Sequence, residues 1–351
     1  MVNAGQSPMH RTYSALLLHA IVLICWVAYS FYQPVIFIDF GLEAMNQTYL
    51  KIQNVLLVAV PPLSGFFADI YFRNRQKLLI YMMIAVIVTA CLFLSLAGIF
   101  LNGSGEVLRL IPFFMLVWVV SMNVFYNPGL SLLARSARQS GWSYASAITG
   151  SVTDIVFALV GFLIVFFRSL GHSYTFGAGA ILVIAASWYF IKTHKIQNSD
   201  EQIQASVVST HWIYFVGALT VGVCSGLVHY KILHDLSEHI EGLDGHIFIP
   251  VIMVLCAIAL LWLHARLHHY GLMRVFTFGF LLCLLAYILS VFVHGLLGTV
   301  LCFVCLIPGI IGLSGSAFGA ALDRIPDRWS NLGTGLFLAG FNSMIYFISY
   351  V

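Results

Sequence analysis

Charge is what this sequence has least of. Only 8% of its 351 residues are Asp, Glu, Lys or Arg, against roughly 25% in an ordinary soluble domain. So small a supply cannot cover a globular surface with solvated groups, nor line a groove for a phosphate backbone, which excludes a soluble enzyme and a nucleic-acid binder. A small-residue cleavage site is lacking after the first apolar run, which is also longer than a signal h-region, so that run is expected to be a retained span. The seven cysteines (Cys25, Cys91, Cys224, Cys256, Cys283, Cys302 and Cys305) all lie inside apolar runs, so no disulfide framework is implied. Cys302 and Cys305 form a C-x-x-C, but in mid-helix they read as small packing residues.

Hydrophobic residues make up 61% of the chain. Apolar stretches recur at 14–36, 52–70, 78–101, 110–132, 147–167, 174–191, 212–230, 247–265, 272–294, 296–317 and 332–351. None alternates as a barrel strand would, and a lipid-embedded backbone must satisfy its own hydrogen bonds, so each is expected to be a helix. At about 20 residues per crossing, the expected fold class is an all-α polytopic membrane protein of about 11 transmembrane helices. The longest polar interruption runs from Lys192 to His211 and separates six spans from five. The expected organisation is therefore an N-terminal six-helix bundle over 1–191, a cytoplasmic linker over 192–211 and a C-terminal five-helix bundle over 212–351, in the manner of a 6 + 5 plan or a truncated 6 + 6.

The few basic residues carry an orientation. With the N-terminus in the cytoplasm, Arg11, Arg73, Arg75, Lys77, Arg135, Arg138, Lys192, Lys195, Arg266, Arg274, Arg324 and Arg328 fall inside, and only Lys51, Arg109, Arg168 and Lys231 fall outside. This is the bias that orients membrane proteins. Two sequons, at Asn46 and Asn102, then lie in outer loops, where glycosylation takes place. The membrane itself, plasma or internal, is left open.

The end of the second span reads Pro61-Pro62-Leu63-Ser64-Gly65-Phe66-Phe67-Ala68-Asp69-Ile70-Tyr71-Phe72-Arg73-Asn74-Arg75-Gln76-Lys77. A Gly, an Ala-Asp pair three and four residues later, and a short basic turn resemble the signature between helices 2 and 3 of the major facilitator superfamily. The form Pro-x-x-Gly-x-x-Ala-Asp-x-Tyr looks most like the proton-dependent oligopeptide transporter branch. The resemblance implies two bundles working by alternating access, with Gly65, Asp69, Arg73, Arg75 and Lys77 as a cytoplasmic gate. The physics agrees: Gly65 permits close helix approach, and Asp69 can accept from the exposed N–H groups of a helix start, for which Asn331-Leu332-Gly333-Thr334-Gly335 is the candidate. The equivalent loop in the second half, His264 to Arg274, is basic but has no carboxylate.

The superfamily resemblance implies a midplane site lined by helices 1, 4, 7 and 10. Polar and aromatic residues at helical spacing there include Trp26, Tyr29 and Gln33 in the first span, Asn123, Tyr126 and Asn127 in the fourth, and Asn342 in the eleventh. Such amides, phenols and indoles suit a small polar solute, although interhelical hydrogen bonding uses the same residue types. No Asp, Glu, Lys or Arg is expected near the centre of a span, with Asp39 and Asp154 falling toward helix ends. The Glu-x-x-Glu-Arg signature of the oligopeptide branch is absent from the first helix, which speaks against peptide–proton symport. The uncharged span interiors suit a downhill carrier better than a strongly coupled pump, with uniport and coupled transport both left open. The His- and acid-rich stretch from His229 to His246 has no fixed ligand spacing and reads as a solvated loop; no metal and no cofactor are expected. The leading expectation is a secondary transporter, not an enzyme, in contact with lipid and a small-molecule solute and with no nucleic acid. Alternatives are a non-transporting sensor of the same fold, or a membrane-bound acyltransferase using His229 or His294.

Overall fold

A computed structural model describes residues 8–72, 74–102, 107–195, 211–239, 244–293 and 295–348. Among them the regular structure is helical throughout. The long helices are α1 (Pro8–Asp39), α2 (Glu43–Tyr71), α3 (Arg75–Asn102) and α4 (Ile111–Ser140), followed by α5 (Trp142–Ala158), α6 (Val160–Leu170) and α7 (His172–Lys195). After the polar interruption come α8 (Trp212–Gly226), a π-helical turn (Leu227–Ile232), α9 (Leu233–His239), α10 (Gly245–His268), α11 (Leu272–Phe292), α12 (Gly295–Leu322) and α13 (Ser330–Ile348). Nine of the described helical stretches are long and apolar enough to cross a membrane, and a tenth is added if α5 and α6, bent by 57° at their junction, count as one. The protein is an all-α polytopic membrane protein, as its composition requires.

The bend refines one expectation. Asp154, expected toward the end of a span over 147–167, does lie one turn before the end of α5 at Ala158, but it falls near the middle of the apolar stretch when α5 and α6 are taken as one span. No proline marks the break. Asn46 differs too: it sits in the first turns of α2, half-buried, rather than in a loop. Turns between helices are tight enough to need a left-handed residue, and Gly41 between α1 and α2 (φ 67°) supplies one, as does Gly171 between α6 and α7 (φ 78°).

Contacts divide the chain into two compact units. The first comprises Met1–Leu133, Val160–Val207 and Asp327–Gly335. Its core is aromatic: Trp118 of α4 packs edge-on against Trp26 of α1 and Phe93 of α3, and Phe93 and Phe100 meet Phe176 of α7. The second comprises Ala134–Leu159, Val208–Pro326 and Leu336–Val351. Its helices meet along glycine seams. A Cβ on Gly222 or Gly226 of α8 would collide with the carbonyls of Phe337 and Phe341 on α13, and one on Gly340 with that of Leu219. On α11, a Cβ at Gly279 would meet the backbone of Gly309 and Leu313 on α12. Lipid gives no hydrophobic drive for helices to associate, so close backbone approach through small residues supplies the attraction instead.

Candidate functional site

In the first unit, α2 buries a polar row made of Gln53, Asn54, Ser64 and Asp69. Asp69, only 3% exposed, points at the start of α13. The first N–H groups of a helix have no acceptor within it, and Asp69 provides one: Oδ1 accepts from the Asn331 N–H at 3.3 Å and from Asn331 Nδ2 at 2.7 Å, and Oδ2 from the Leu332 N–H at 2.8 Å. A negative group there also meets the positive end of the helix dipole. Two glycines permit the approach, because a Cβ on Gly65 would strike the Asn331 carbonyl and one on Gly335 the Pro61 carbonyl. The Pro61 carbonyl in turn accepts from Asn127 Nδ2 of α4 at 2.8 Å and from the Ser64 hydroxyl at 3.0 Å. Ser131 of α4 donates to Ser330 at 3.0 Å, and Phe66 stacks on Trp329. Of the expected basic gate residues, Lys77 is exposed on α3, Arg75 opens α3 with its side chain outside the description, and Arg73 lies outside the described residues.

The expected solute-binding residues divide into a tied set and an open one. The Tyr29 hydroxyl bonds to Tyr49 and donates to Gln53 at 3.0 Å; Gln33 donates to Asn46 at 2.7 Å; Asn123 donates to its own helix at Val119; and the Tyr126 hydroxyl meets His19 Nδ1 at 2.7 Å. These bonds join α1 to α2 and to α4. Trp26 is half-buried and forms an aromatic wall with Tyr29 and Trp118, the last two stacked with centroids 4.5 Å apart. Trp118 Nε1 and Asn54 Nδ2 are buried donors with no acceptor among the described residues, and sequence reasoning singled out neither. Asn342 belongs to the second unit and is described by itself as half-buried on α13. Asn102 ends α3, and the rest of its sequon lies outside the described residues.

A second buried carboxylate emerges in the second unit. Asp154 of α5 is fully buried. Its Oδ1 meets His229 Nε2, on the π-helical turn, at 2.9 Å and accepts from the Ser314 hydroxyl of α12 at 3.0 Å. His229 Nδ1 faces the Ser225 carbonyl at 2.9 Å, so both ring nitrogens are engaged. Ser314 bonds to the carboxylate and not to the imidazole, which is not the order of a nucleophile and its base. His294 lies outside the described residues.

The signal that finds Asp154 is internal to the sequence. Ser64-Gly65-x-x-x-Asp69-Ile70-x-Phe72 and Thr149-Gly150-x-x-x-Asp154-Ile155-x-Phe157 share hydroxyl, glycine, aspartate, isoleucine and phenylalanine at the same spacing. The geometry repeats as well: a Cβ on Gly150 would strike the Ser314 carbonyl, just as one on Gly65 would strike that of Asn331. In each helix the glycine admits a partner backbone one turn before a carboxylate, which bonds to backbone N–H groups and an amide at Asp69 and to side chains at Asp154.

No protein-family model matches the chain, and no curated protein matches it in sequence. Solved structures do. A bacterial homologue of the iron transporter ferroportin, in an outward-facing state, superposes with a TM-score of 0.68 at 14% identity, over 98% of this chain and 90% of that one. The human organic anion transporter MFSD10 gives 0.60 at 13% identity over 98% and 95%. The proton:xylose symporter XylE, a major facilitator superfamily protein, gives 0.59 at 12% identity over 98% and 87%. The fold is that of the major facilitator superfamily. At these identities the likeness concerns the fold, which is why the contacts of Asp69 and Asp154 have to carry the functional argument.

Proposed function

We propose that the protein is a secondary transporter that moves a small polar solute across a membrane by alternating access. The observation that carries this reading is the three-bond cap of Asp69 on the start of α13. In the proposed division into bundles 1–191 and 212–351, Asp69 belongs to one bundle and Asn331 and Leu332 to the other. With the N-terminus in the cytoplasm, as the basic residues favour, the cap lies at the cytoplasmic ends of its helices. It is then a latch: its bonds hold that side shut and must break for the solute to leave inward. Gly65 and Gly335 set its closeness, and Arg73, Arg75 and Lys77 anchor the loop at anionic lipid.

The oligopeptide branch is the finer reading of the loop. Without Glu-x-x-Glu-Arg in α1, we carry over its gating mechanics and not its peptide substrate. Trp26, Tyr29 and Trp118 supply an aromatic wall, with the spare donors of Trp118 and Asn54 suiting a solute that accepts hydrogen bonds. The same orientation places Asn46 outside.

The test is flux. Full-length protein in liposomes, offered a panel of labelled sugars, nucleosides, amino acids and organic anions, should show saturable uptake of at least one. Asp69→Asn should raise the cytoplasmic reactivity of cysteines introduced along α13. Uptake no faster than in empty liposomes across the panel, with the latch variant unchanged in reactivity, would remove the proposal.

A further inference from the structure

The Asp154 and His229 pair is left over by the latch. We propose that these two side chains form a binding site for a single proton, loaded when α5 meets the π-helical turn and released when they part. The site follows from contacts alone; its use in driving transport rests on the reading above.

The Ser225 carbonyl can only accept, so His229 Nδ1 carries a hydrogen. Nε2 then faces Asp154 Oδ1 at 2.9 Å, and two lone pairs cannot make that contact. One proton must lie between them. Whether drawn as imidazolium and carboxylate or as imidazole and carboxylic acid, the loaded pair is neutral overall, and the proton belongs to the pair. Removing it leaves a buried negative charge facing a nitrogen lone pair, which is strongly unfavourable.

Nothing nearby among the described residues replaces that proton. Ser314 donates one neutral hydrogen bond, and Asp154 Oδ2 is buried without a partner among those residues. The rings of Phe157 and Phe341 pack on the imidazole, and the Tyr230 ring packs on both. The thiols of Cys256 on α10 and Cys283 on α11 lie within electrostatic reach of Asp154. Lys231, two residues beyond His229, pairs with Asp235 of α9 at 3.1 Å, and His234 also lies beside Asp235. A metal ion is a poorer occupant: both imidazole nitrogens are engaged, and no group of three or more His, Cys, Asp or Glu among the described residues is placed to hold one.

Opened to water, the two groups return to ordinary behaviour, the carboxylate ionised above about pH 4 and the imidazole losing its proton above about pH 6.5. Above about pH 6.5 the closed pair therefore holds one proton more than the open one, and each further pH unit shifts the balance about tenfold toward open. Between about pH 4 and 6.5 both forms hold one proton, and pH has no effect.

Hydrogen exchange on the full-length protein in lipid nanodiscs, from about pH 5.5 to 8.5, tests this. After division by the intrinsic exchange rate, protection of 150–158 and 225–232 should fall about tenfold per pH unit above about 6.5 in the wild type, and the slope should vanish in Asp154→Asn. If that variant does not fold, His229→Gln serves, since its amide can donate to Asp154 without titrating. A wild-type profile with no slope, or one parallel to the variant's, overturns the site. Liposomes loaded with a pH dye separate this failure from that of transport. Solute uptake without any exchange slope keeps the transporter and removes the proton site. A slope without any solute uptake keeps the proton site and removes its transport role.

Discussion

Two helices of this protein carry the same short pattern and use it differently. In α2, Asp69 follows Gly65 by one turn and takes its hydrogen bonds from two backbone N–H groups and an amide. In α5, Asp154 follows Gly150 by one turn and meets an imidazole and a hydroxyl. The backbone approach is alike, and the chemistry of the donors is not. Amide hydrogens do not titrate near neutrality, so the Asp69 cap holds through geometry and the helix dipole. An imidazole does titrate there, so on the proposal above the Asp154 contact depends on a proton. One pattern thus yields a cap that no proton alters near neutrality and a contact proposed to need one. Halves built from inverted repeats would place such paired elements in antiparallel helices, and α2 and α5 run in opposite directions in the proposed topology.

The largest expected difference is in stability. Asp154→Ala leaves a buried imidazole without its partner and should cost about 3–5 kcal/mol, read as a drop in the midpoint of unfolding in lipid-detergent micelles. Losses as small as those of a surface substitution would mean that the pair is not buried as described. Next comes pH: from about 6.5 to 8.5 the start of α13 should keep its exchange protection while 150–158 loses about a hundredfold. Equal loss in both would erase the distinction between the sites. The shared glycines should behave alike, with Gly65→Ala and Gly150→Ala each costing about 1–3 kcal/mol by forcing a partner backbone away; a cost at only one would break the structural parallel. Smaller again is Asp69→Asn, at about 1 kcal/mol for the weakened cap, visible as more rapid cysteine labelling on α13. Ser314→Ala, which removes one neutral hydrogen bond to Asp154, should cost about 1 kcal/mol or less.

These sites differ in how far the sequence betrays them. The meeting of Asp69 with Asn331 and Leu332 is legible because a carboxylate at the edge of an apolar run needs a partner and a helix start offers one. Asp154 was obscured by a break at Leu159 that no proline announces, which displaced the apparent ends of its span. His229 is visible in the sequence as a polar residue at the end of its span, but its meeting with Asp154 is not, because it sits on a π-helical turn whose extra residue per turn has no compositional mark. The polar faces of α1 and α4 were visible as patterns, but whether Tyr29, Gln33 or Asn127 serves a solute or a neighbouring helix depends on contacts between spans far apart in sequence, which periodicity does not encode. The internal repeat was available all along and would have paired the two aspartates.

The glycine seams of α8 with α13 and of α11 with α12 bear on how a fold can persist while its sequence drifts. A lipid-facing Leu can become Ile, Val or Phe with little consequence, so most positions are free to change. Gly222, Gly226, Gly279 and Gly340 are not, since any side chain there meets backbone that cannot step aside. Descent in such a protein is written in where side chains are forbidden, a handful of positions set at helical spacing. Comparisons weighted by hydrophobic likeness pass over that record, whereas superposed backbones preserve it.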